Sequence, residues 1–307
     1  MPSSDAALTS GVNGDIDEDF RCLCCGHNES LPYVLHCRDY YLQKSQIVSY
    51  YACKSCGLVQ QKPLPVDVAS YYNDYPVHSP KSAAYSWFRR RLMASVYLPP
   101  QSLGREKKIL DFGCGDGWYL EWCFERGLNA VGFEPSALHA QIVSKRIGVP
   151  VFSDVDRLIE EHAFSFDFVT LHFVVEHLTG LHPVFQRIAK LLKPGGKCRF
   201  VVPNISSWEF ALFGRRWHSL DAPRHISFPT LNHARRLAFD SGLIFRGEES
   251  VAFPNGFGGS IPTALWSRFS VPAFLATLPL SIPVTRLFPS GNKAFTMSRP
   301  LEGENKK

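Results

Sequence analysis

The chain reads as an α/β protein built on a mostly parallel, doubly wound sheet, preceded by a small cysteine-rich module. Three observations predict this. Strand-like apolar runs alternate with helix-like segments from residue 107 to 202, and such alternation calls for right-handed crossovers and a sheet covered on both faces. A glycine-rich turn, Gly113-Cys114-Gly115-Asp116-Gly117, joins the first of these strands to its helix. Two Cys-x-x-Cys pairs, Cys22/Cys25 and Cys53/Cys56, stand ahead of the sheet region.

The first strand is read at Lys107 to Phe112, followed by a helix from Trp118 to Arg126 that stops at Gly127. Glycines in the turn adopt conformations closed to other residues, let a ligand approach the backbone, and leave amides at the helix N-terminus for an anionic group. The next strand, Asn129 to Phe133, ends at Glu134, where a carboxylate can accept hydrogen bonds from both hydroxyls of a ribose. That spacing points to an adenosine-type cofactor. Ser136 caps a helix that closes at Gly148, and Val149 to Phe152 forms a third strand. At its end, Ser153 and Asp154 are candidates to meet an adenine ring, with Asp154 readable also as a turn or cap residue.

Phe166 to Leu171 makes a fourth strand, and His172 at its C-terminal end is a candidate for the cofactor wall. Pro183 opens the next helix, Lys193-Pro194-Gly195-Gly196 breaks it, and Cys198 to Val202 supplies a fifth strand. Thr230 starts a helix that ends before Gly242. Leu243 to Glu249 and Asn292 to Arg299 are read as the antiparallel pair that closes the sheet. The core therefore spans residues 105–250, with a closing strand and tail at 292–307. Residues 251–291 form an apolar, proline-rich insertion in which Pro272, Pro279 and Pro283 interrupt any clean membrane-spanning helix. A lid over the acceptor, a subunit contact and peripheral membrane contact are the readings for it.

Residues 1–19 are polar and small, and are expected to be a disordered tail. Residues 20–62 form the cysteine module, in which the two-residue spacers bring Cys22, Cys25, Cys53 and Cys56 onto one tetrahedral zinc ion of structural type. Cys24, His27, His36 and Cys37 offer competing ligands. Residues 63–104 are a linker and helical connector, with Tyr71-Tyr72-Asn73-Asp74-Tyr75 and a helix from Lys81 to Tyr97 carrying Arg89, Arg90 and Arg91. A net charge of +5 over 307 residues is too small to imply nucleic acid as a partner. No export pattern opens the chain, so the nine cysteines are expected as cytoplasmic thiols or metal ligands.

Taken together, Asp111-Phe112-Gly113-Cys114-Gly115-Asp116-Gly117, Glu134, Val175-Glu176-His177-Leu178 and Leu192-Lys193-Pro194-Gly195-Gly196 resemble the Rossmann-like class I methyltransferases that use S-adenosylmethionine. The resemblance implies that Gly113 and Gly115 lie beneath the methionine portion of the cofactor, that Asp111 orients its amino group, and that Glu134 holds its ribose. Cys114, Asp116 and Gly117 complete the turn. The order of cysteine module, Tyr-rich connector and core is similar to that of zinc-ribbon methyltransferases of sugar and polysaccharide pathways.

In the sugar C-methyltransferases of that group a Glu-His pair after the fifth strand supplies the base. Arg224-His225 looks like its counterpart, with Arg224 standing where the glutamate is expected, so O-methylation of a sugar, such as a nucleotide-linked one, is at least as well matched. His225 is the expected general base, because a neutral imidazole takes a proton near neutral pH, and His177 is the competing candidate. Trp208, Trp217 and His218 are candidates to border the acceptor. Two rival readings are an RNA methyltransferase that grips its polymer through the ribbon, and an NAD-dependent oxidoreductase. Few lysines and arginines in residues 20–62 argue against the first, and no site for hydride transfer supports the second.

Overall fold

The computed structural model describes residues 20–68, 71, 89, 91–93, 96 and 104–304. The tail expected at 1–19 and most of the connector, including most of the helix expected over 81–97, lie outside the described residues.

A seven-stranded sheet carries the fold. Its strands are β4 (Lys108–Phe112), β5 (Asn129–Phe133), β6 (Val151–Phe152), β7 (Phe166–His172), β8 (Leu192–Pro203), β10 (Ile244–Ser250) and β11 (Asn292–Ser298), in the order β10-β11-β8-β7-β4-β5-β6. The four pairs among β6, β5, β4, β7 and β8 are parallel, while β11 runs antiparallel between β8 and β10. Ile109 and Leu110 are both fully buried on β4, as expected for a strand covered on both faces. The covering helices are α1 (Trp118–Phe124), α2 (Ala137–Ile147), α3 (Val155–His162), α4 (Leu181–Leu191) and α6 (Leu231–Asp240). Ser136 accepts from the His139 amide at the start of α2, and Gly148 ends that helix at φ 81°, the αL cap that glycine permits.

Some boundaries move. The third strand starts at Val151, because Gly148 caps the preceding helix and the Pro150 carbonyl accepts from Gly132. The fifth strand extends back to Leu192, since Lys197 already pairs with Ser298 of β11.

The cysteine module consists of β1 (Ser30–Arg38), β2 (Ile47–Cys53) and β3 (Val59–Lys62). It does not stand apart from the core. A two-residue strand of the core, β9 (Ser227–Phe228), pairs with β3 at Val59/Phe228 and Gln60/Ser227, so both parts share one four-stranded antiparallel sheet. The Gln61 amide donates to the Ile226 carbonyl at 2.7 Å. Two core histidines also hold the knuckles. His182 Nε2 donates to the Cys24 carbonyl at 2.7 Å, and His233 Nε2 donates to that of Cys56 at 3.0 Å. His233 Nδ1 accepts from the Thr230 amide, which leaves the proton on Nε2.

Beneath this junction lies a buried ion network. Arg224, 1% exposed, donates through Nη1 and Nη2 to the two carboxylate oxygens of Asp39 at 2.8 and 2.9 Å, and through Nε and Nη2 to Asp221. The fork geometry of guanidinium matches a carboxylate with two parallel bonds. Residues 251–291 fold as a helical pair, α7 (Asn255–Trp266) and α8 (Val271–Leu287), against the short helix α5 (Trp208–Phe213).

Removing one partner of a buried ion pair leaves the other uncompensated. Asp39→Ala is expected to lower stability by about 3 kcal/mol, read as a lower urea midpoint at unchanged slope.

Candidate active site

The C-terminal ends of β4, β5 and β7 converge, as a parallel sheet requires of its ligand crevice. Gly113, Gly115 and Gly117 have φ of 81°, 50° and 71°. A Cβ on Gly113 would lie 2.7 Å from Val174 Cγ2, and one on Gly117 would lie 2.5 Å from Val143 Cγ1, so the turn has no room for side chains there. Glu134 bridges the turn from the end of β5: its two carboxylate oxygens accept from the amides of Gly115 and Ser136, each at 3.1 Å. Asp111 is 3% exposed, accepts from Thr170 Oγ1 at 3.3 Å, and stands 3.6 Å from His172 Nδ1. The His172 ring meets Tyr119 edge-on at 4.7 Å. These residues, expected together from the sequence, are brought together.

Two residues of the expected set have structural roles of their own. The Cys114 side chain is buried in the hydrophobic core between sheet and helix, and burial pushes its thiol pKa far up, so only its backbone faces the crevice. Asp154 is a helix cap: its Oδ1 accepts from the amides of Asp156 at 2.8 Å and Arg157 at 3.2 Å. Ser153 beside it is exposed, and the Asp116 carbonyl accepts from Arg146 Nη2.

The second cluster begins two residues past Val174. Phe173 takes a left-handed backbone at φ 58°, a conformation rare for a bulky residue and found where surrounding structure imposes it. The short turn Val175–His177 follows. Glu176 is fully buried, and among the described residues neither carboxylate oxygen has a hydrogen-bond partner. His225 Nε2 lies 3.9 Å from Glu176 Oε1 and 4.0 Å from Asp221 Oδ2. The rings of His177 and His225 meet edge-on at 4.6 Å.

Each imidazole gives its Nδ1 proton to a backbone carbonyl, His225 to Ser219 at 2.9 Å and His177 to Arg224 at 3.0 Å. Both Nε2 atoms therefore carry lone pairs. Tyr50, from β2 of the cysteine module, donates its hydroxyl to the His225 carbonyl at 2.8 Å, and the Ile226 amide donates to the Glu176 carbonyl at 2.6 Å.

Burial sets the protonation states. It pushes the Glu176 carboxyl well above the usual carboxylate range. Burial, with His177 adding to it, pushes His225 down to about 3, and burial also lowers His177. Asp221 is the exception: burial opposes its charge, yet the adjacent Arg224 outweighs this and holds its pKa at about 2.

Glu176 and Asp221 both stand near His225 Nε2, and Asp221 is the ionised one, while Arg224 is turned away into its ion network. The histidines read as competitors from the sequence share one cluster. Trp217 is 1% exposed and donates to Glu209 inside the protein, so it packs and does not border an acceptor. Asp39 and Tyr50 gave no signal in the sequence, because nothing local marks a residue of the cysteine module as a contact of Arg224 or His225. Glu176 stood in the Val175-Glu176-His177-Leu178 motif, but its burial beside His225 was not legible there.

At the knuckles, Cys22, Cys25, Cys53 and Cys56 place their sulfurs within 4.8 Å of one another, with Cys22–Cys56 at 3.4 Å and Cys25–Cys53 at 3.5 Å. A tetrahedral zinc ion with bonds of about 2.3 Å needs sulfurs about 3.8 Å apart, so the set fits with a small expansion. Cys37 lies in another cluster, under β1 and β2.

The strand order, the reversed β11 and the Gly113–Glu134 cradle define a Rossmann-like class I methyltransferase fold with a crevice suited to S-adenosylmethionine. The chain belongs to the methyltransferase-domain family, whose sequence model matches residues 84–244. It is similar to the mitochondrial ubiquinone biosynthesis O-methyltransferase of Homo sapiens, 30% identical over 150 residues covering 45% of this chain and 40% of that one. The ubiquinone biosynthesis O-methyltransferase of Erwinia tasmaniensis is 34% identical over 127 residues, 38% of this chain and 52% of that one. The chain thus spans about half the length of these curated relatives. Among solved structures, geranyl diphosphate C-methyltransferase from Streptomyces coelicolor A3(2) is 15% identical at a TM-score of 0.49, covering 76% of this chain and 97% of that one.

Asp221 adopts a left-handed backbone, φ 37° and ψ 44°, which asparagine tolerates. Asp221→Asn therefore removes the charge at little backbone cost. With a folded pKa of about 2 against 3.8, the carboxylate contributes about 2 kcal/mol. That contribution is fully present above pH 3.8 and is lost as pH falls through about 2. Urea titrations of both proteins should differ at neutral pH and converge near that lower limit.

Proposed function

We propose that this chain transfers a methyl group from S-adenosylmethionine to a hydroxyl of a small acceptor, with His225 as general base. The observation that carries the reading is Val174: it lies directly under Gly113 and leads within two residues to Glu176 and the His225 cluster, so donor cradle and proton acceptor are one continuous piece. When bound, the cofactor supplies a sulfonium methyl for in-line displacement. The chain's own residues do the rest. Asp111, the glycine-rich turn at Gly113–Gly117 and Glu134 hold and orient the donor, and His225 Nε2 takes the hydroxyl proton. The resulting imidazolium stands about equally far from Glu176 and Asp221, and Asp221 is ionised to meet it.

The curated relatives are named for O-methylation, which supports oxygen as the nucleophile. A sugar or nucleotide-linked sugar remains the acceptor class suggested by the cysteine module and core in series. The four cysteines would hold one structural zinc ion, which fixes the knuckles against α4 and α6 and supplies no group to the reaction.

Labelled S-adenosylmethionine should be consumed with a panel of nucleotide-linked sugars and hydroxylated aromatic compounds. His225→Ala is expected to lower kcat by about 10²–10⁴-fold while S-adenosylhomocysteine affinity stays unchanged. Glu176→Gln, which keeps the shape, should produce a smaller loss. Because burial lowers the His225 pKa, the acidic limb of kcat/KM should lie below pH 6.5. A limb at or above that value, or full turnover by His225→Ala, removes His225 as the base.

Metal analysis of the purified protein should find one zinc per chain. Cys53→Ser should lose it together with thermal stability, since metal binding at such sites is folding free energy.

A further inference from the structure

The pair α7 and α8 is built inside out. Its inward side is mostly small and polar, with Leu278 the one large side chain of α8 that is buried. A Cβ on Gly258 would lie 2.7 Å from Ser281 Oγ and 2.9 Å from Thr277 Oγ1, so the two backbones pack as closely as glycine allows. Thr277 Oγ1 reaches the Gly258 carbonyl at 3.1 Å, while Ser281 and Thr285 donate to carbonyls one turn back, at 2.8 and 2.7 Å. The hydroxyls therefore find partners within the pair.

The outward side is large and apolar. Val271, Leu275, Leu280 and Leu287 are 48%, 44%, 55% and 74% exposed along α8, with Trp266 and Phe288 each 63% exposed at its two ends. A helix in water ordinarily places such residues the other way round. Close packing through Gly, Ser and Thr with apolar residues outside is the arrangement used where the surroundings are hydrocarbon.

Charge selects among the occupants. Residues 251–291 contain no Asp or Glu, and their only charges are Arg268, in the turn before α8, and Arg286, near its end. Two cations bracketing an exposed apolar helix suit a surface of acyl chains and anionic phosphates. Depth follows from the prolines. Pro279 and Pro283 lie within α8 and have no N–H, so the carbonyls of Leu275 and Pro279 lose their helical partners and need water or head groups. Seventeen residues span about 26 Å, short of a hydrocarbon core of about 30 Å, and no helix among the described residues is long and apolar enough to cross a membrane.

We infer that α8 and the turn before it dock the protein on the surface of a bilayer containing anionic phospholipid, with α8 lying in the head-group region. The docking face reaches the proposed site directly. Phe269, in the same turn, stacks on His218 at 4.5 Å and on Tyr41 at 5.1 Å, and the His218 amide donates to Ser260 Oγ at 2.8 Å. His218 opens the segment that ends at His225. Docking would place the acceptor crevice beside the membrane surface.

The test is co-sedimentation of the full chain with phosphatidylcholine vesicles, with and without phosphatidylglycerol. The chain should pellet with the anionic vesicles, and more weakly as salt rises. Leu275→Ser/Leu280→Ser, at exposed positions, should reduce partitioning at least tenfold, and Arg268→Glu/Arg286→Glu should reduce it by about fivefold or more per arginine. Circular dichroism and S-adenosylhomocysteine binding should stay unchanged in both variants, so failure here is separable from failure of the donor assignment. Full-chain protein that stays in the supernatant with anionic vesicles overturns the inference. So does a dimer in sedimentation velocity that Leu275→Ser/Leu280→Ser dissociates while vesicle binding persists, which would assign the face to a second copy.

Discussion

The structure turns on one buried guanidinium. Arg224 is held on one side by Asp39 of the cysteine module and on the other by Asp221 of the core. Burying a charge is costly unless its partners satisfy it with good geometry, and here two carboxylates do so while the Tyr41 ring lies 5.8 Å from the guanidinium carbon. Because Arg224 directly precedes His225, anchoring one places the other. The shared sheet through β9 and the Tyr50 hydroxyl on the His225 carbonyl act on the same few residues. The cysteine module is therefore a positioning part of the candidate site as well as a neighbour of it.

The same burial gives the site its chemistry. Excluding water raises the Glu176 carboxyl and lowers both imidazoles, so three groups that would each be charged or half-charged in water are predominantly neutral together. Methyl transfer from a sulfonium to a hydroxyl suits such a place. In the proposed reaction the positive charge would move from the donor to the imidazole and not be newly created. A site holding one fixed anion, Asp221, at 4.0 Å from His225 Nε2 can stabilise that migrating charge without paying for a second buried ion.

The helical pair obeys the opposite rule to the core. Around the sheet, apolar side chains such as Phe185, Ile188, Phe200 and Phe295 are completely or almost completely buried, and stability comes from their removal from water. In α8 the buried positions are Leu278, Ser281 and Thr285, and the other leucines, Leu275, Leu280 and Leu287, face out. The glycines of α7 make this feasible by letting the backbones approach. The Phe269 and His218 stack then ties the turn between the helices to the loop that carries His225.

Much of the fold was legible along the chain because its signals are local. Strand and helix periods, the Ser136 and Gly148 caps, the positive-φ glycines after β4 and the carboxylate ending β5 each depend on a few adjacent residues, and each lies where expected. So do the paired cysteines, whose spacing alone brings two sulfurs of a knuckle together. The tertiary structure alone decided which groups far apart in sequence meet. It brought His225 near both Glu176 and Asp221 and turned the neighbouring Arg224 away, joined the third strand of the cysteine module to β9, and turned Cys114 inward. A fold closes a dipeptide's chemistry with side chains from other elements, and burial then sets which of them carry charge; neither is encoded in the spacing of the residues themselves.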